Sequence, residues 1–131
     1  YRTIYLPVIR GGLAETYGTF DVPDPAQIKG DRETTTVAPQ ALYFLNDEFV
    51  VDCCRAAADR LLAAPGLDDV GRVRLAYARL LGRTPTADEI EAVRGFVTSL
   101  RPDADARDAT TYRWTALVQA LVASAEFRYL R

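Results

Sequence analysis

Apolar and polar positions follow two regimes along this chain, and they change over at Pro39. Before it the pattern is that of extended chain. Residues 1–10, YRTIYLPVIR, alternate as a strand does, with Ile4, Leu6 and Val8 on one face and Tyr5 and Ile9 on the other. Pro7 has no backbone donor, so the segment reads as an edge strand or an extended arm, ended by Gly11 and Gly12. Residues 13–20 suit a short helical turn broken at Gly18. Residues 21–38 are rich in proline and polar groups and read as one long irregular connection. Val22, Ile28 and Val37 would anchor it in an ordered path over the helices.

After Pro39 the period becomes helical. Pro39 suits a first turn, where a missing donor costs nothing, and Gln40 to Leu45 would form a short helix. Asn46 or Asp47 then caps a second helix, whose stripe is Val50, Cys53, Ala57 and Leu61, with Cys54 and Ala58 beside it. Pro65 and Gly66 stop it. A third helix begins near Asp68 or Asp69 with Val70, Val73, Tyr77 and Leu80 as its stripe, and Gly82 suits the left-handed position just past its end. Thr86 and Glu89 form a capping box for a fourth, with Ile90, Val93, Phe96 or Val97, and Leu100 facing inward. Residues 103–109 form a polar loop. Thr110 or Thr111 caps the last helix, which carries Trp114, Leu117, Val118, Leu121, Val122 and Ala125 on its apolar side.

These stripes need mutual cover, so the expected fold is all-α: a small irregular bundle of about four to five helices with an extended N-terminal arm and a long ordered loop. The expectation is one module over 1–131, with arm and loop over 1–38 and bundle over 39–131. The chain begins at Tyr1 and contains no Met, which suggests a fragment or processed product.

Composition mainly removes options. Apolar residues make up 49% of the 131, enough for one core. No apolar run approaches the ~20 residues of a membrane helix, so no membrane insertion is expected. Sixteen basic and eighteen acidic residues give a net charge of −2, without the basic stripe of a nucleic-acid binder, and Lys29 is the one lysine. Histidine is absent, which excludes histidine-based triads and histidine-ligated zinc within this segment. The adjacent Cys53 and Cys54 point about 100° apart on a helix and make no CxxC motif. They read as two buried small hydrophobes, with a reactive thiol as the alternative.

Three stretches carry a likeness: RTIYLPVIR, TVAPQALYFLNDEFV at 36–50 and LLGRTPTADE at 80–89, completed by the tail ALVQALVASAEFRYL. Together they resemble the planctomycete-type C-terminal domain of unknown function called the PSD-one family, which closes large multidomain proteins that often carry cytochrome-c-like domains. The resemblance implies that this is the C-terminal part of a larger domain in an exported, extracytoplasmic protein of the periplasm or cell envelope. Upstream domains of the parent chain, or another envelope protein, would be its partners. It supplies no catalytic residue. No cofactor is expected in this segment: a haem would need a CxxCH motif, so it could lie only elsewhere in the parent chain.

Several constellations compete as sites. Asp21, Asp24, Asp31, Arg32 and Glu33 on the long loop, with Gln40 and Asn46 beyond it, could bring carboxylates to a hydrolytic or metal site shared with an upstream region. The plainer reading gives the aspartates turn and cap bonds, with Arg32 paired to one of them. Gln40 and Asn46 either hold a ligand or satisfy loop backbone groups, pinning the connection to the bundle. Trp114, Tyr112 and Tyr77 would form a carbohydrate platform if exposed, and core if not. Ile4, Leu6, Val8 and Ile9 are the candidate interface of the arm. The function expected from these is a non-catalytic structural or protein-interaction module. The alternatives are a share in a carboxylate site and a carbohydrate- or ligand-binding module.

Overall fold

A computed structural model of the chain describes residue 5 and residues 18–20, 37–102 and 108–129. The expected arm with Ile4, Leu6, Val8 and Ile9, and residues 21–36 of the long connection, lie outside the described residues; the last two residues given to that connection, Val37 and Ala38, are helical instead. The chain divides into two compact units, Tyr1–Tyr43 and Phe44–Arg131. Six helices and no strand occur among the described residues: α1 Val37–Asn46, α2 Glu48–Leu62, α3 Asp69–Leu80, α4 Ala87–Ser99, α5 Ala109–Ala123 and α6 Ala125–Arg128. None is long and apolar enough to cross a membrane.

In the first unit, the side-chain amide of Gln40 donates to the Thr19 carbonyl at 3.2 Å. The Phe20 ring meets Tyr43 edge-on, with centroids 5.3 Å apart. Pro39 sits third in α1, inside the first turn, where its lack of a donor breaks no helical bond.

The helices of the second unit are separated by caps written into the sequence. One residue, Asp47, parts α1 from α2, and its carboxylate accepts from the amides of Phe49 and Val50 at 3.0 and 3.3 Å. Asp68 caps α3 through Gly71 N at 2.8 Å. Gly82 follows the C-cap of α3 with φ +70°, the left-handed conformation that L side chains resist. Thr86 and Glu89 complete the expected capping box of α4, Thr86 N donating to Glu89 Oε2 at 2.7 Å and Glu89 N to Thr86 Oγ1 at 3.2 Å.

The cap of α5 departs from expectation. Asp108 takes the place given to Thr110 or Thr111, and its two oxygens accept from Thr110 N, Thr111 N and Thr111 Oγ1. The two oxygens of a carboxylate can accept all three donors, more than the single oxygen of a hydroxyl has lone pairs for. These bonds hold the Asp108 carboxyl below its ordinary range, Thr111 Oγ1 first among them. Ser124 then ends α5 and caps α6, so Ala125 opens a separate helix and is exposed, not part of the α5 face.

The central pairing is α2 against α5. From α2 the core takes Val50, Cys54, Ala58 and Leu61, and from α5 Trp114, Leu117, Val118, Leu121 and Val122. Val73, Ala76 and Tyr77 of α3 and Val93 of α4 complete it. The buried stripe of α2 is thus rotated slightly from the expected one: Cys54 is buried and Cys53 is exposed, so only one of the two cysteines is a core residue. On α4, Val97 turns partly inward while Phe96 stays 37% exposed. Gln119 of α5 donates to the Leu45 carbonyl at 2.8 Å, and Phe44 meets Phe127 edge-on at 6.0 Å, which ties the two ends of this unit together.

Candidate functional site

The most densely bonded cluster lies in the LLGRTPTADE stretch. Arg83 leaves the turn after α3 and reaches two helices. Its Nη1 and Nη2 donate to Glu89 of α4 at 2.8 and 2.5 Å, and its Nε and Nη2 to Glu126 of α6 at 2.5 and 2.8 Å. Nη1 also donates to the Thr84 carbonyl at 3.2 Å. Those five bonds use all five N–H groups of a guanidinium. The guanidinium carbon lies 5.3 Å from the centroid of Tyr77, a cation–π distance. The Arg83 bonds, followed by the Thr86 amide, hold the Glu89 carboxyl down at about 2. Burial first, and then Glu89, push the Tyr77 phenol up.

Chemically, this cluster is closed. An ionised Glu89 has no proton to donate at neutral pH, and Arg83 has no donor left for a ligand. Two bidentate carboxylates and a ring face account for the whole guanidinium. Its work is to dock α4 and α6 on the end of α3. Sequence reading quoted Arg83 within its motif but gave it no role, because Glu126 lies 43 residues away.

Asp21, Asp24, Asp31, Arg32 and Glu33 lie outside the described residues. Gln40 donates from its side-chain amide to the Thr19 carbonyl, a residue ahead of the 21–38 connection. Asn46 is the exposed last residue of α1. Among the described residues no group of three or more Asp, Glu, Cys or His side chains could hold a metal ion.

The aromatic residues divide. Trp114 and Tyr77 are 4% and 6% exposed and offer no stacking face, while Tyr112 is 36% exposed. Trp114 instead floors an open groove of about 610 Å³ with Val70 and Val73 of α3 and Val93 and Val97 of α4. That volume is within the range of small-ligand sites. The groove was not read from the sequence, because its floor is made of residues that a helical stripe would also bury.

The second open feature is on α2. Along one edge of its core stripe, Phe49, Cys53 and Ala56 follow one another at helical spacing, and all three are exposed. Phe49 is 70% exposed and Leu45, just before α2, is 48% exposed. The signal for this face was present: Phe49 falls outside the stripe that starts at Val50.

No curated protein and no solved structure matches the chain. The family described as a protein of unknown function, PSD1 (DUF1553), matches residues 1–97. The matched stretch ends within α4, so it includes α2 but not its partner α5. With most of its length matched, the chain belongs to the PSD1 (DUF1553) family of proteins of unknown function.

Proposed function

We propose that this chain is a non-catalytic protein-interaction module of a larger exported protein, and that it docks on another domain of its parent or on another envelope protein. One observation carries the reading: beside the covered stripe of α2 runs a second row of apolar residues, and that row is open. Val50, Cys54, Ala58 and Leu61 are buried, while Phe49, Cys53 and Ala56 face out. Scattered exposed apolar residues are ordinary, but an aligned Phe49, with Leu45 four residues before it, is the kind of anchor that interfaces bury. Burying a phenylalanine is worth about 1.5–3 kcal/mol. The placement outside the cytoplasm and the multidomain parent are supported by the family resemblance alone.

The test is site-specific photo-crosslinking in the full-length protein in its native cells. A benzophenone amino acid at position 49 should give one discrete adduct, to another domain or to one other protein, and Leu45→Asp should remove it. The same probe at the exposed Arg74 of α3 is the control. If positions 49 and 74 give the same diffuse labelling, the face has no dedicated partner and the reading is wrong.

A further inference from the structure

We propose that α6 is a displaceable latch on the docking face, and that a docking protein gains the Phe44 ring by displacing it. The inference rests on reading the open row that holds Leu45 and Phe49 as a docking surface. Phe44 immediately precedes the exposed Leu45 but is itself half-buried, and Phe127 of α6 stands edge-on against its ring with centroids 6.0 Å apart. The chain's own aromatic side chain thus occupies an aromatic contact next to the open row. A partner that uses Phe44 binds only the state in which α6 has left, so the latch lowers its apparent affinity in proportion to the closed fraction.

The way α6 is held suits such a part. It is a helix of four residues, set off from α5 by Ser124 in extended backbone with φ −65° and ψ 153°. One helical turn does not sustain itself, so side-chain contacts must keep it in place. Those contacts are open to water: Phe127 is 38% exposed, and the side chains of the Arg83–Glu126 pair are 36% and 41% exposed. Ion pairs stabilise least in that setting. Departure of α6 also leaves little behind unsatisfied. Arg83 keeps its two bonds to Glu89, so its guanidinium stays paired. Phe44 keeps its place, because Gln119 of α5 holds the adjoining Leu45 carbonyl without help from α6. Opening of α6 is therefore a local event that the rest of the bundle survives.

Glu126→Ala is the test, since it loosens α6 and leaves every apolar residue in place. Hydrogen exchange in the whole chain reads the opening itself. The Tyr129 amide, bonded to the Ala125 carbonyl, should exchange about fivefold faster in the variant, while the amide of the buried Val118 in α5 keeps the parent rate. Equal acceleration of both would show that α6 opens only with the bundle, and an unchanged Tyr129 would show that Glu126 does not hold it; either result overturns the proposal. Crosslinking from position 49 in the full-length protein reads the consequence. The adduct should increase in Glu126→Ala by up to the same factor, and adding Phe44→Ala should cancel the increase. A discrete adduct whose yield stays the same or falls would overturn the latch and leave the docking face standing. An accelerated Tyr129 with no discrete adduct in either protein would instead remove the docking face, and the latch's role with it.

Discussion

Two glycines of this chain should respond to the same substitution with opposite signs. Gly82 and Gly95 share one property: a Cβ at either meets no atom within 4 Å, so neither is held by a steric conflict. They differ in backbone. Gly82 has φ +70° just past the C-cap of α3, whereas Gly95 lies within α4. Alanine at 82 carries the left-handed penalty of roughly 1–2 kcal/mol. At 95 it removes the helix cost of glycine and stabilises by about 0.8–1.0 kcal/mol. The unit concerned, Phe44–Arg131, is of a size at which 1 kcal/mol corresponds to about 5 °C in Tm. Gly82→Ala should therefore melt about 5 °C or more below the parent and Gly95→Ala about 5 °C above it. Far-UV circular dichroism of the two variants, checked by urea titration, reads both shifts. Two shifts of the same sign would refute the assignment of the Gly82 effect to backbone and of the Gly95 effect to propensity. A neutral Gly82→Ala would show that the turn after α3 does not need the left-handed conformation.

The Arg83 cluster makes stability depend on acid. Glu89 has its carboxyl lowered from 4.5 to about 2, so its contribution is present above pH 4.5 and is lost as pH falls towards 2. Asp108 is lowered too and acts in the same direction. In thermal melts across that window Arg83→Met should start lower at neutral pH and fall less steeply than the parent; parallel curves would show that the guanidinium is not the cause. The cysteines should separate in a thiol-labelling experiment. Cys53 is exposed, while Cys54 is buried and its thiol is pushed up by that burial, so one thiol should label promptly and the second only on unfolding. Equal labelling rates in the Cys53→Ser and Cys54→Ser variants would contradict the orientation of α2.

What the sequence disclosed depended on the range of the interaction. Local devices were legible: the Thr86/Glu89 capping box, Gly82 beyond α3, the stop at Pro65 and Gly66, and most of the α5 stripe are fixed by residues within four positions of one another. Finer choices went astray where two neighbours competed. Asp108 displaced the threonines as the cap of α5 because a carboxylate accepts more donors, whereas the choice left open between Phe96 and Val97 fell to Val97. The burial of Cys54 over Cys53 turned on a rotation of α2 that is set by its packing on α5. Contacts across the chain were not legible. Arg83 with Glu126, Gln119 with Leu45, and the groove floor all join residues that no local pattern links.

This division bears on where function lies. The stretch 80–89 looks most like a signature, with its glycine, arginine, proline, threonines and acids, and such strings invite assignment as a site. Each residue that the structure explains there is spent on folding. Gly82 turns the chain, Thr86 caps α4, and Arg83 and Glu89 bind each other, with Glu126 on the far edge of the guanidinium. A group with every donor used is a poor ligand site, however distinctive its neighbours. The features left unspent are plainer in sequence: Phe49 on the solvent face of α2, and Gly95 in a groove wall that packing would let it close. Both cost the isolated chain something, exposed aromatic surface in one case and helix propensity in the other. Residues that cost stability without a structural return are where selection for binding is to be sought, and so the crosslinking experiment is directed at Phe49 and not at the motif.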